Sequence, residues 1–209
     1  CVMTPILNLF VVWLLKEAER KKIRHLFFLA RDSYPLYLIA GQYCEKLQLK
    51  LKCSYFYCSR YSLRVPMYSE NTQEALDHVC RGGIDVTLRK ILIRSGFELQ
   101  KAEELREYFE MDRELDAVIP YPELKNIKKE LSANKKYMEM LRSVSTSKRD
   151  TVYRYFRQEG MLEEKIGIVD SGWTGTTQKS INKIRKKCGC RTGVEGYCFG
   201  LYETPPGYD

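Results

Sequence analysis

The sequence predicts an α/β fold in which an open parallel sheet carries a large helical insertion. Short runs at residues 25–30, 53–58 and 166–169 are typical of strands, and the apolar composition of the first and third predicts that these two are buried. Stretches with helical spacing alternate with these runs, and this order favours parallel strands joined by helical crossovers. The length of 209 residues suits one domain of this class, covering residues 1–209.

The first third of the chain is predicted to contain two helices and two strands. Thr4 and Pro5 are typical of a helix start, with Thr4 as the N-cap, and this helix is expected to end near residue 22. The first apolar run then forms a strand. A helix over residues 36–47 follows it, with its apolar side chains on one face, and the second run forms the next strand.

The segment 71–160 has a different character, because it is long, charged and mostly helical by its spacing. It is therefore interpreted as a helical insertion within the single domain. Ser147-x-x-Asp150 resembles a capping box and predicts that the last helix of the insertion begins there. The predicted helices cover residues 72–80, 86–95, 101–110, 122–131 and 148–158.

The last third of the chain is predicted to add a strand, a helix and a final strand. The strand at residues 166–169 ends at Asp170 and leads into a turn of small and hydroxyl residues. A helix should begin near Thr176, and Gly189 is suited to the position just after its end. Residues 194–202 are predicted to form the last strand.

Charge and composition indicate anionic partners. The net charge is +8 and the pI is about 9.0, but 27 acidic residues are interspersed among the 35 basic ones, so a nucleic-acid groove is not predicted. Known catalytic signatures are missing from the sequence, namely the Gly-x-x-x-x-Gly-Lys-Ser/Thr loop, the Gly-x-Ser-x-Gly elbow and the His-Glu-x-x-His motif. Two histidines also give little basis for a Ser-His-Asp triad.

The eight cysteines do not follow a metal-binding pattern. There is no Cys-x-x-Cys, and Cys188-Gly-Cys190 has no second pair of ligands, so no metal ligands are predicted. A reduced, cytoplasmic protein is expected. The apolar residues 6–15 are too few to span a bilayer, and no membrane segment is predicted. Because the chain begins with Cys1 rather than Met, it is interpreted as part of a longer protein.

Polar side chains follow three of the predicted strands. Since the carboxyl ends of parallel strands meet at one edge of a sheet, where ligands usually bind, these side chains are expected to converge. Arg31 and Asp32 are candidate catalytic residues after the first strand, and Asp170 is one after the third. Asp32 and Asp170 could hold ribose hydroxyls or Mg²⁺, the candidate cofactor. The alternative for Arg31 and Asp32 is a local ion pair.

The turn after Asp170 is predicted to bind phosphate. Glycines allow close approach of the backbone, hydroxyls add donors, and the start of a helix favours an anion. Arginine side chains after the second strand could grip phosphate oxygens in a fork. The predicted phosphate-binding residues are Ser171, Gly172, Thr174, Gly175, Thr176, Thr177, Arg60 and Arg64. The alternatives are an ordinary strand-to-helix connection and a solvated loop. Tyr34, Tyr61 and Trp173 could stack on a base or a sugar, or simply fill gaps.

Two of these segments resemble type I phosphoribosyltransferases. The strand, the loop at residues 31–36 and the helix are similar to their pyrophosphate loop. Ile166-Gly-Ile-Val-Asp170 followed by Thr174-Gly-Thr-Thr177 is similar to their phosphosugar motif, although Ser171 stands where the family has a second acidic residue. The resemblance implies a Rossmann-like sheet. In a transferase of this kind Arg31, Arg60 and Arg64 would hold pyrophosphate.

A second resemblance covers most of the chain. Phe28-Leu-Ala-Arg-Asp32, Tyr57-Cys-Ser-Arg60 and Val169-Asp-Ser-Gly-Trp-Thr-Gly-Thr-Thr-Gln178 resemble the region after the phosphatase domain in predicted hydrolases of the haloacid-dehalogenase (HAD) type. Those proteins often belong to bacterial surface-polysaccharide gene sets, which implies a role in polysaccharide biosynthesis. Asp170-Ser-Gly-Trp-Thr174 also resembles the Asp-x-Asp-x-Thr motif of HAD phosphatases, but Gly172 replaces the second Asp, the general acid/base.

The sequence therefore predicts a phosphoribosyltransferase-like domain that binds a phosphorylated sugar or a nucleotide and is accessory to an N-terminal HAD-type domain. Catalysis is left open, and an enzyme of this kind would be a glycosyl transferase. The first alternative is a non-catalytic module that docks a partner or a glycan. The second alternative is a HAD-like phosphatase.

Overall fold

The computed structural model describes residues 3–172 and 175–201, apart from the side chain of Leu99. The chain divides into two compact units. The first runs from the N-terminus to Arg60 and resumes at Tyr155, and the second comprises Tyr61–Arg154. The second unit therefore lies, along the chain, between two parts of the first.

The first unit contains a four-stranded sheet in which all neighbouring strands are parallel. The α/β class and the parallel sheet predicted from the sequence are thus confirmed. The strands are β1 His25–Leu29, β2 Lys52–Phe56, β3 Ile166–Asp170 and β4 Glu195–Cys198. Their order across the sheet is β2-β1-β3-β4, so the third strand along the chain is inserted beside the first.

Most of the remaining described residues belong to α-helices and the loops that join them. The helices are α1 Met3–Arg20, α2 Tyr34–Lys46, α3 Arg60–Arg64, α4 Thr72–Val79, α5 Leu88–Arg94, α6 Ala102–Tyr108, α7 Leu124–Ala133, α8 Lys135–Glu159 and α9 Thr176–Lys187. In this described set no helix is long and apolar enough to cross a membrane.

The two central strands of the sheet, β1 and β3, are almost wholly apolar and buried, whereas the edge strands β2 and β4 are mostly only partly buried. All five residues of β1 are buried, which is the pattern of a central parallel strand. On one face Leu26, Phe28 and Val169 pack with Val11 and Leu14 of α1. On the other face the ring of Phe27 contacts that of Phe56, which also contacts Tyr155 and Phe156 near the end of α8.

The second unit has its own hydrophobic core, formed by α4–α8 and the segments between them. Tyr137 lies at its centre with no exposed surface, and its hydroxyl is 2.6 Å from that of Ser95. Burial raises the pKa of Tyr137 far above its usual value, so this hydroxyl stays neutral. A separate core of this kind lets the helical segment pack without help from the sheet.

Several element boundaries differ from the sequence predictions. Thr4 lies inside α1, which already includes Met3, so its predicted role as N-cap is wrong. The last helix of the second unit begins at Lys135 and not near Ser147. The Ser147 hydroxyl donates within the helix to the Val144 carbonyl at 2.9 Å, so the proposed capping box does not exist. The last strand is also shorter than predicted, because β4 ends at Cys198.

Candidate functional site

A cleft of about 830 Å³ opens at the carboxyl edge of the sheet. Three separate segments of the first unit form its walls, and each follows the end of a strand. The predicted convergence of these three segments is therefore observed. The residues that line the cleft are Leu29, Ala30, Arg31, Asp32, Cys58, Ser59, Arg60, Asp170, Ser171, Gly172, Gly175, Thr176 and Thr177.

The loop between β1 and α2 is tied to both neighbouring strands. The Ala30 N–H donates to the carbonyl of Phe56 at 3.0 Å, which fixes the loop against β2. The hydroxyl of Ser33, which is wholly buried, donates to the carbonyl of Val169 at 3.1 Å, which fixes it against β3. These two bonds place the short Arg31–Asp32 segment at the mouth of the cleft.

Arg31 and Asp32 are both highly exposed at the cleft. The Arg31 side chain is 95% exposed and that of Asp32 is 67% exposed, and their charged groups are 3.6 Å apart. The local ion pair named as the alternative interpretation is thus present. An exposed pair of this kind contributes little to stability, so both side chains can turn toward a ligand at small cost.

The turn after β3 brings its backbone against the end of β4. The N–H of Phe199 donates to the carbonyl of Asp170, and that of Gly200 donates to the carbonyl of Ser171, both at 3.1 Å. Gly172 has a φ of +78°, and a Cβ at this residue would lie 2.1 Å from the carbonyl oxygen of Gly200. Only glycine fits this approach without movement of the backbone.

Asp170 is the partly buried carboxylate of the cleft. Burial raises its pKa, and the negative charge of Asp32 adds to this effect. The backbone N–H groups of Gly172 and Ser171 donate to the carboxylate and, together with the charge of Arg60, act in the opposite direction. A carboxylate whose pKa is raised by burial in a cleft is a candidate functional group.

The start of α9 forms another part of the cleft wall, through Gly175, Thr176 and Thr177. Gly175 is the N-cap residue and has the left-handed φ of +61°, which glycine adopts without strain. The first N–H groups of an α-helix have no acceptors within the helix, and the helix dipole makes this end positive. The Gln178 side chain donates to the carbonyl of Val194 at 3.1 Å, which holds the start of α9 beside β4.

Cys58 lines the cleft but is not among the site residues predicted from the sequence. Burial and the charge of Asp170 raise the pKa of its thiol to about 12, so it is protonated at neutral pH. A protonated thiol is a poor nucleophile. Its position two residues before Arg60, just after β2, is the signal that could have placed it at this edge.

Most of the predicted site residues line the cleft. Thr174, predicted to bind phosphate, and Trp173 lie outside the described residues. Arg64 and Tyr61 belong to the second unit, so their predicted roles stay predictions. The predicted residues found together are Arg31, Asp32, Arg60, Asp170, Ser171, Gly172, Gly175, Thr176 and Thr177.

Asp32 and Asp170 are the carboxylates available to a cation at the cleft. Among residues 3–172 and 175–201, no three side chains of the metal-binding types are grouped closely enough to hold a metal ion. Mg²⁺ is commonly bound by one or two carboxylates together with phosphate oxygens of a substrate. Two carboxylates in a cleft that is also lined by Arg31 and Arg60 fit that mode of binding.

Comparison with known proteins leaves the site to be interpreted from its geometry: no protein-family model matches the chain, and no curated protein shows significant similarity to it.

Proposed function

We propose that the cleft binds the phosphate groups of a sugar phosphate or a nucleotide, and that the first unit is a Rossmann-like, phosphoribosyltransferase-like domain. The observation that carries this proposal is the convergence of Arg31, Arg60 and the start of α9 on one cleft. Guanidinium groups and helix N-termini are the two features that proteins most often use to hold phosphate. Ligand sites of open parallel sheets lie at this same edge.

Different residues of the cleft would hold different parts of the ligand. The turn after Asp170, from Ser171 to the start of α9, holds the phosphate that is attached to the sugar. Asp170 accepts hydrogen bonds from the sugar hydroxyls, and Arg31 and Arg60 hold the pyrophosphate. Mg²⁺, when bound, would be held by Asp32 or Asp170 together with the phosphates and would neutralise their charge.

A transfer reaction in this cleft would depend on orientation and electrostatics. Arg31 and Arg60 would stabilise the negative charge that develops on a departing pyrophosphate. Asp170 would fix the sugar through its hydroxyls, so that its anomeric carbon faces the acceptor. These roles require no nucleophilic side chain, which agrees with the high pKa of Cys58, about 12.

The resemblance to the region after the phosphatase domain of HAD-type hydrolases suggests where this domain acts. The chain would act in the cytoplasm of a bacterium, as a region accessory to a HAD-type domain, in polysaccharide biosynthesis. The second unit would be an insertion between β2 and β3. The geometry gives less support to the HAD-like phosphatase alternative, because Gly172 provides no general acid/base and the carbonyl of Gly200 blocks the place of a side chain.

Ligand titration followed by calorimetry tests the proposal. Phosphoribosyl diphosphate and nucleoside diphosphates, each with Mg²⁺, should bind saturably. Arg60→Ala should weaken binding roughly 10- to 100-fold, the usual loss for a hydrogen bond between charged groups. The matched control is Arg20→Ala, since Arg20 is an exposed arginine that pairs with Glu17 on α1, and affinity should not change.

Two results would contradict the proposal. Absence of binding by every phosphate ligand would favour the module that docks a partner or a glycan. Release of phosphate from a small phosphate ester, lost in Asp170→Asn, would favour the phosphatase alternative.

A further inference from the structure

Four tyrosines of the first unit form a surface cluster, here called the tyrosine cluster. Its members are Tyr34 and Tyr37 of α2, Tyr55 of β2 and Tyr57, which follows β2. The ring centroid of Tyr55 is 5.2 Å from that of Tyr34, 5.9 Å from that of Tyr37 and 5.0 Å from that of Tyr57. Tyr55 is therefore the centre of the cluster, with the other rings around it.

The outer rings of the cluster are exposed to solvent. Tyr57 is 74% exposed and Tyr34 is 48% exposed, whereas aromatic rings are usually buried in large part. The planes of both rings are almost perpendicular to that of Tyr55, at 82° for Tyr57 and 73° for Tyr34. These edge-to-face contacts fix the orientation of the outer rings and leave aromatic surface available for a flat ligand.

The tyrosine cluster is continuous with the cleft. The hydroxyl of Tyr55 donates to the carbonyl of Arg31, a cleft residue, at 3.4 Å. Burial raises the pKa of this hydroxyl, and the nearby Tyr57, Cys58, Tyr34 and Asp32 add to the effect. Two of these neighbours, Cys58 and Asp32, line the cleft. A ligand held at the cleft therefore needs to extend only past Arg31 to reach the rings.

We propose that the ligand of the cleft is a nucleotide, a nucleoside diphosphate or a sugar linked to one, and that its base stacks on the exposed rings of Tyr57 and Tyr34. This inference rests on the proposed phosphate-binding function and names its ligand class. Stacking of a base needs only a ring face, which is what the cluster offers.

The size of the cleft leaves ample room for the phosphates and ribose of a nucleotide. Its volume of about 830 Å³ lies in the upper part of the range of small-molecule sites, about 300–1,000 Å³. Phosphates and ribose would occupy the polar part between Arg60 and Asp170, and the base would lie outside, beyond Arg31. Because every base has a face that can stack on a ring, the binding should discriminate little between bases.

Calorimetry with and without the base tests the inference. With the 209-residue chain and Mg²⁺, uridine and adenosine diphosphates should bind about 10-fold or more tightly than pyrophosphate or ribose 5-phosphate, as expected for one stacked base. Tyr57→Ala and Tyr34→Ala should remove this advantage and leave pyrophosphate affinity unchanged. Tyr57→Phe should keep it, because the ring remains. Tyr121→Ala, at a tyrosine 76% exposed in the second unit, is the matched control and should have no effect.

The outcomes separate this inference from the function on which it rests. Equal affinities of nucleotides and pyrophosphate, or full nucleotide affinity in both alanine variants, would overturn the role of the cluster while phosphate binding stands. A loss of ribose 5-phosphate affinity in Tyr57→Ala would assign the rings to the sugar and overturn the nucleotide class. Failure of every phosphate ligand to bind would overturn both proposals.

Discussion

Replacement of Gly172 by alanine tests the geometry of the turn on which the site depends. An alanine here would need a φ of +78°, and its Cβ would meet the Gly200 carbonyl oxygen at 2.1 Å and the Cys198 Cβ at 2.9 Å. The left-handed conformation costs about 1–2 kcal/mol, and forcing an added carbon into packed surroundings costs about 1–3 kcal/mol. Gly172→Ala should therefore lower the free energy of unfolding by about 2–5 kcal/mol.

Two other glycines separate the contributions to this loss. Gly189 has a φ of +92° but no atom within 4 Å of an added Cβ, so Gly189→Ala should show only the conformational cost, about 1–2 kcal/mol. Gly41 in α2 also has nothing within 4 Å, and Gly41→Ala should stabilise the helix by about 0.5–1 kcal/mol. Equilibrium unfolding in urea measures all three variants.

The comparison between Gly172→Ala and Gly189→Ala shows whether the turn at Gly172 lies as close to Gly200 as described. If Gly172→Ala costs no more than Gly189→Ala, the close approach between the turn and Gly200 is absent and the reasoning is refuted. A larger loss should also be accompanied by weaker phosphate binding, because the backbone from Ser171 onward must move away from Gly200.

Three further predictions concern single side chains of the first unit. Ser33→Ala should lower the free energy of unfolding in urea by about 1–2 kcal/mol, because the Val169 carbonyl loses a buried donor. The control is Ser132→Ala, at an exposed serine on α7, which should cost under about 0.5 kcal/mol. Burial, together with the charge of Lys52, lowers the pKa of His25 in the folded protein. As the pH drops below about 6.5, the unfolded chain therefore binds the proton before the folded protein does, and the free energy of unfolding should fall. His25→Gln should flatten this pH dependence in urea unfolding. Because the pKa of the Cys58 thiol is about 12, this thiol should react with iodoacetamide at pH 8 at least about 100-fold more slowly in the folded protein than in the unfolded protein. Mass spectrometry measures both rates, and equal rates would contradict the burial of Cys58.

The strands and the convergence of the polar segments could be predicted because both follow from local patterns. Residues 25–29 and 166–169 contain too few polar groups for anything but a buried element, and their short length favours strands over helices. Once strands alternate with helices, parallel pairing places Arg31, Arg60 and Asp170 at one edge. No knowledge of strand order is needed for this step.

What the sequence could not show depends on contacts between distant residues. Ser147 with Asp150 fits a capping box as well as a helix interior, and the continuation of α8 back to Lys135 decides between them. The insertion of β3 between β1 and β4 has no local signal. The hydrogen bond from the Ser33 hydroxyl to the Val169 carbonyl has no local signal either. A serine just before a helix usually caps that helix, but here its hydroxyl bonds to a distant strand instead.

The position of β3 in the sheet affects how the protein folds during its synthesis. Strands β1 and β2 emerge from the ribosome early and pair directly, but β3 begins only at Ile166 and must enter beside β1 after Tyr61–Arg154 has been synthesised. Pairings between such distant parts of a chain form slowly. Until β3 arrives, one side of β1 remains an unpaired apolar edge, which is a hazard for aggregation. The nascent chain should therefore depend on chaperones during that interval.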